Sequence, residues 1–170
     1  LAEDIGVRPR FADRVHDQVL DLAVSIETAT FSVKVLLGNG DGSFHSGGTY
    51  WSPSGSAGAT LVDLDGDRDL DLAYGVCYPP FLRVQFNNGA GIFGISSSYP
   101  AGGVVSIAAA DLDRDGDADL VVVNSLHAFS AFLNHGDGTF PVACGYPDYG
   151  ATTVAVADLG GGGRLDLITG

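Results

Sequence analysis

The sequence predicts an all-β fold of repeated four-stranded units, and three observations carry that prediction. One motif recurs along the chain. LVDLDGDRDLDLAYG at 61–75 returns as AADLDRDGDADLVVV at 109–123, as VADLGGGGRLDLITG at 156–170 and, more weakly, as FADRVHDQVLDLAVS at 11–25. Its leading residues Asp13, Asp63, Asp111 and Asp158 step by 50, 48 and 47. A second motif falls between these copies: LLGNGDGSF at 36–44, QFNNGAGIF at 85–93 and FLNHGDGTF at 132–140, whose Phe44, Phe93 and Phe140 step by 49 and 47. Two independent markers on one period define a repeat protein. The third observation is the near absence of helix signals, with 19 Asp against only Glu3 and Glu27, where solvated helix surfaces would prefer Glu.

Each unit reads as four short strands. The first is rich in small and β-branched residues, as in VVSIAAAD and TTVAVAD, and suits a crowded place where only Ala fits. An acidic loop follows, and then a second strand such as DLVVVN or DLAVSI. A third strand ends at NGDG, NGAG or HGDG, where Gly supplies the positive φ of a tight hairpin, and the fourth follows the Phe. Four strands in about 48 residues fit a β-propeller blade with the small-residue strand innermost. The units run at approximately 6–54, 55–103, 104–151 and, in part, 152–170, with the first strand around Gly6 to Ala12. That makes about three and a half blades, part of a propeller.

Composition narrows the function. At 45% hydrophobic and 17% charged the chain is no disordered acidic tail. A net charge of −13 and a single lysine, Lys34, exclude a basic face for nucleic acid or an anionic membrane. No run of 18 apolar residues occurs, so no membrane insertion is expected, and no signal peptide is visible. The chain opens at Leu1 and has no Met, as a mature product or a piece of a longer protein would. Cys77 and Cys144 are too few for a disulfide framework and leave two readings open, one bridge or two buried thiols.

Of the 21 acids, ten lie in 63–71 and 111–119. Five like charges in one short stretch repel each other, so a positive partner is expected among them. Asp at loop positions 1, 3, 5 and 9, with Gly at 6, lets alternate carboxylates converge while the backbone turns. Hard oxygen ligands in that number suit Ca²⁺, with a carbonyl near position 7 completing the shell. An EF-hand is excluded, because position 12 holds Tyr74 or Val122 instead of Glu and strands follow instead of helix.

The unit D-x-D-x-D-G-x-x-D-L followed by GDGTF resembles the FG-GAP or VCBS repeat, the blade unit of integrin α-subunit propellers and of some fungal lectins. The resemblance implies a roughly seven-bladed propeller, of which this chain would be part or half, with calcium in the hairpin loops on one face and ligands on the opposite face or between blades. Carried onto this chain, it places one ion on Asp111, Asp113, Asp115 and Asp119 with the Asp117 carbonyl. A second ion falls on Asp63, Asp65, Asp67 and Asp71, with Asp69 at the position of Asp117. There Arg68 stands where Gly belongs and must accept a strained backbone. The loop at Asp13 keeps Asp17 and Asp21 but has Val15 in a ligand slot, and that at Asp158 keeps only Asp166 around four glycines. Both are expected to be weak or empty.

The expected role of the ions is structural, and a need for millimolar calcium points to an extracellular or secreted protein. No enzyme is expected. His135 fills a turn slot held by Asn39 and Asn88 in sister repeats, and His16, His45 and His127 share no motif with a nucleophile. A binding module remains, with carbohydrate first as ligand, a protein partner as the alternative, and a propeller portion of a polysaccharide-active enzyme behind both. Tyr50, Trp51, Tyr78, Tyr99, Tyr146 and Tyr149 all fall in the expected loops opposite the acidic ones, at 49–58, 75–81, 97–103 and 145–150, where rings stack on sugars or anchor partners. The other reading of these rings is packing between blades. An open half-ring exposes strand edges, so either a symmetric homodimer or the rest of a longer chain would complete it.

Overall fold

The computed structural model describes residues 8–12, 19–26, 32–51, 58–147 and 150–170. They form three four-stranded antiparallel sheets and a two-stranded one, with no helix among the described residues. The first sheet runs β1 (Arg8–Ala12), β2 (Asp21–Ile26), β3 (Ser32–Gly38) and β4 (Phe44–Trp51); the second β5 (Ala59–Val62), β6 (Asp71–Val76), β7 (Phe81–Asn87) and β8 (Phe93–Pro100). The third holds β9 (Val104–Ala110), β10 (Asp119–Asn124), β11 (Phe129–Leu133) and β12 (Val142–Tyr146), and the last β13 (Val154–Ala157) and β14 (Asp166–Thr169). Within each sheet the strands lie in chain order. β1 lies against β5, β5 against β9 and β9 against β13, so the first strands of successive blades neighbour one another and the sheets stand as propeller-like blades.

Packing follows the period of two. In the second blade Leu72, Tyr74 and Val76 face the first blade, joining Ala23, Val33 and Val35. The alternate residues Ala73, Leu82 and Val84 face the third blade, against Leu120, Val122 and Phe132. Val121 and Val123 then meet Val154 of the fourth and Ala151 in the connection leading to it. A blade buried on both faces needs near-continuous apolar strands, which is why all six residues of β6 are buried.

Two expectations are corrected here. Cys77 and Cys144 form no bridge with each other, and neither is buried: Cys77 is half-buried and Cys144 exposed. They sit in different blades, on the loop after β6 and within β12. The fourth strand follows the Phe as expected, starting at Phe44 and Phe93 in the first two blades and two residues after Phe140, at Val142, in the third.

Candidate metal centres

The acidic loops join the first and second strands of each blade, at the same end as the hairpins that join the third and fourth. In the second blade, oxygens of Asp63, Asp65 and Asp71 all lie within 4.8 Å of one another; in the third, those of Asp111, Asp113 and Asp115 do so. Oxygens bound to one Ca²⁺ at 2.3–2.6 Å stand at most about 5 Å apart, so both clusters could hold such an ion. The two loops gather different members of the same set. Position 5 joins in the third blade (Asp115) but not as Asp67 in the second, and position 9 joins in the second (Asp71) but not as Asp119 in the third.

Local hydrogen bonds shape the turn. Asp63 accepts the amides of Gly66 (2.8 Å) and Arg68 (3.0 Å), and Asp111 those of Arg114 (2.6 Å) and Gly116 (3.2 Å). Asp65 and Asp67 each accept the amide two residues on, as do Asp113 and Asp115. In every one of these four the bond uses Oδ1. Positions 4 and 6 both take positive φ: Gly66 (78°) and Arg68 (76°) in one loop, Arg114 (70°) and Gly116 (100°) in the other. Sequence reasoning found the demand at position 6 only. The swapped Gly–Arg order of DGDR and DRDG was the signal for position 4.

Asp69 and Asp117 point elsewhere. The Asp117 Oδ2 stands 2.5 Å from where a Cβ on Gly136 would sit, and the Asp69 Oδ2 2.9 Å from that of Gly89. These carboxylates lie over the hairpin turn, and a side chain on either glycine would strike them.

Position 9 is a tie between loop and hairpin. Asp71, fully buried, accepts the amides of Leu64 and Asn87, each at 2.9 Å. Asp119, also fully buried, accepts those of Leu112 (2.7 Å) and Asn134 (2.8 Å). Asp21 does the same for Gly38 (3.0 Å). Burial is the largest influence at Asp71 and outweighs its two amide bonds; with the charges of Asp65 and Asp67 added, its pKa is pushed up to about 7. Burial likewise raises Asp119, helped by Asp113 and Asp115, and raises Asp65. Carboxylates held back from ionising in this way are ones a cation would favour.

In the fourth blade Asp158 accepts the Gly163 amide at 2.6 Å, so the turn survives without acids at positions 3 and 5. Asp13 and Asp17 lie outside the described residues.

The six aromatic candidates divide, and the expectation that all lie in loops is corrected: Tyr50, Trp51, Tyr99 and Tyr146 lie at the ends of the fourth strands β4, β8 and β12, because these strands run on past the tyrosine position. Tyr50 packs edge-on against Phe93 of the next blade (5.1 Å, 83°), and Tyr99 against Phe140 (5.3 Å, 86°), so these two rings are occupied between blades. Tyr146 lies flat on Phe129 of its own blade (4.9 Å, 16°) and is 48% exposed. Tyr78 is 77% exposed. Trp51 closes β4, and Tyr149 lies outside the described residues.

No curated protein matched the chain in a sequence comparison. Residues 111–169, from the first carboxylate of the third acidic loop to the end of β14, match the FG-GAP-like repeat family. Residues 111–169 therefore carry FG-GAP-like repeat sequence, across the third blade from its acidic loop onward and the two strands of the fourth.

Proposed function

We propose that the chain is a calcium-binding, extracellular propeller module that binds carbohydrate at the end opposite its acidic loops. One observation carries the ligand reading. Between the second and third blades, the connections after β6, β8 and β10 enclose an apolar cleft of about 430 Å³. Tyr78 and Leu126, 77% and 76% exposed, stand at its rim, with Cys77, Pro80, Val104 and Ser125 in its walls. An exposed phenol beside an apolar wall suits the C–H face of a sugar ring, and the phenol hydroxyl and the backbone offer polar contacts at its edge. The described lining has no carboxylate or imidazole, which favours binding over hydrolysis.

Calcium acts at the other end, as a structural ion. Its ligands come from single hairpin loops, and the gathered oxygens fit a hard cation. At ~1 mM free ion and a dissociation constant of ~10⁻⁴ M each site stabilises by about 1.4 kcal/mol, and only outside the cytoplasm is free calcium that high.

A glycan-array screen in millimolar calcium and again in chelator tests this reading. Binding that fades in chelator only as the fold melts supports a lectin with structural ions. Binding lost while the fold persists moves the ion into the ligand site. A blank array on folded protein overturns the carbohydrate reading and points to a protein ligand at the same cleft.

A further inference from the structure

The turn between β3 and β4 carries a side-chain relay that its sister hairpins lack. Every residue from 39 to 46 is exposed, and the turn opens with Asn39 followed by Gly40. The Asn39 Nδ2 donates to the Ser43 hydroxyl at 2.8 Å, and that hydroxyl donates in turn to Asp41. This fixes which way the Asn39 amide points. Its Oδ1, which can only accept, stands 2.7 Å from the Nδ1 of His45, so that nitrogen carries the proton and donates it. The Gly40 N–H donates no hydrogen bond among the described residues.

The second blade has the same dipeptide, Asn88 and Gly89, in other surroundings. The Asn88 Oδ1 is held by the amides of Ala90 (3.0 Å) and Ile92 (3.3 Å). The Asp69 Oδ2 lies 2.9 Å from where a Cβ on Gly89 would sit, whereas over Gly40 the nearest atom is the Val19 Cγ2 at 3.5 Å. Gly94 and Pro141 stand at the place of His45, and His135 replaces the asparagine in the third blade.

We infer that Asn39 is a self-modification site, whose side-chain amide is lost to attack by the Gly40 nitrogen with His45 as the assisting donor. The nitrogen gives up its proton to water and bonds to the Asn39 Cγ, and the carbonyl electron pair moves onto Oδ1, where the His45 N–H stabilises the developing charge. As the pair returns, the Cγ–Nδ2 bond breaks and the nitrogen leaves as ammonia, with a proton taken from solvent. The resulting cyclic imide is opened by water at either carbonyl, leaving aspartate or isoaspartate at 39. Water enters and ammonia leaves, with no oxidant or cofactor. Attacker and target are neighbours in the chain, so the step is unimolecular, and Gly40 puts no Cβ in the way. At Asn88 the nearby Asp69 carboxylate opposes loss of the Gly89 proton. The product at 39 sets a carboxylate beside Asp41 and removes the donor that Ser43 accepts, so it charges and loosens the tip of the first hairpin. The turn lies at the acidic-loop end, so its chemistry is independent of the cleft read as a carbohydrate site.

The test holds the 170-residue chain folded at neutral pH for weeks and follows the amide-to-acid mass gain at each asparagine by peptide mass spectrometry. Asn39 should convert about tenfold faster than Asn88, and in urea the two rates should converge, because only the fold separates them. His45→Ala, at an exposed position, should slow Asn39 by about tenfold, the worth of one hydrogen bond to a developing charge, and leave Asn88 unchanged. His45→Gln keeps an N–H donor and should restore part of the rate. Conversion at Asn88 as fast as at Asn39 in the folded chain, or an Asn39 rate indifferent to His45→Ala, overturns the inference. So does a preference for Asn39 that persists in urea, because it then belongs to the local sequence and not to the relay.

Discussion

The side-chain amide of Asn134 donates to the Leu64 carbonyl at 2.8 Å, tying the hairpin of the third blade to the acidic loop of the second. The same amide reaches Ala118 in its own acidic loop (3.0 Å), and its oxygen accepts the amides of Gly136 and Gly138, each at 3.1 Å. With its backbone N–H on Asp119, this buried asparagine joins both candidate metal loops to one turn. The blade interface and the candidate metal loops thus share a support.

Removing that support should be costly. Asn134→Ala leaves two turn amides and two carbonyls without their partner, and a loss of roughly 2–3 kcal/mol is expected. Asn87→Ala should cost clearly less, because the Asn87 Oδ1 has no partner among the described residues and its amide makes one long bond to Leu70 (3.3 Å). Urea melts of the two variants check the order. Equal losses would contradict the role given to Asn134.

Calcium should raise the melting temperature. Two sites at about 1.4 kcal/mol each, in a chain of this size, correspond to a rise of roughly 5–10 °C on passing from chelator to millimolar calcium. Asp113→Asn with Asp65→Asn should abolish most of the rise. Magnesium at the same concentration should give little, since it demands a tighter octahedral shell. Calorimetric scans in the three conditions decide it, and a melting temperature indifferent to calcium would remove the structural-ion reading.

The pH dependence in chelator has a definite sign. Asp71 has a folded pKa of about 7, against about 3.9 for an unfolded aspartate. Between these values the folded state holds the extra proton, so stability falls as pH rises from about 4 to about 7. Asp119, raised mainly by burial, acts in the same direction. The melting temperature in chelator should therefore drop between about pH 5 and pH 8, and the gain from calcium should be larger at the upper end. A calcium-free melting temperature that climbs over this range would refute the assignment.

Much of this was legible in the sequence because it rests on short-range chemistry. The blade period, the strand order and the acidic loops follow from motifs that recur with turn residues at fixed offsets. What escaped is long-range. Nothing local marks Asp71 as a buried tie reaching Asn87, since both ends look like turn residues until the sheet brings them together. Tyr78 and Tyr99 both sit beside Pro, yet one is exposed in a loop and the other, at the end of β8, packs on the next blade, which depends on blade register. The two positive-φ positions lie between these cases, readable only by comparing the Gly–Arg order of two sister loops.

That comparison gives a backbone test. Arg68 holds φ 76° with a Cβ, a conformation costing a non-glycine residue about 1 kcal/mol or more. Arg68→Gly should relieve the strain, partly offset by the freer unfolded chain, for a net gain of a few tenths of a kcal/mol or more. Gly66→Ala should lose about 1 kcal/mol, for its φ is 78° while the nearest atom to a new Cβ is 3.6 Å away. Opposite signs in paired denaturant melts are expected, and a destabilised Arg68→Gly would show that the arginine side chain contributes more than its backbone costs.

Tyr99 and Tyr78 separate packing from binding. Tyr99 sits edge-on to Phe140 and Phe132 and donates its hydroxyl to the Gly138 carbonyl at 3.2 Å, all across the blade junction. Tyr99→Ala should cost roughly 2–4 kcal/mol and lower the melting temperature by about 5–15 °C. Tyr78 is 77% exposed on the cleft rim, so Tyr78→Ala should leave the melting temperature within about 2 °C of the parent. If the cleft is the ligand site, that variant loses at least about tenfold in affinity for whichever glycan the array returns. A Tyr78→Ala protein that binds like the parent would move the site away from this cleft, because no other large ring stands on the described rim.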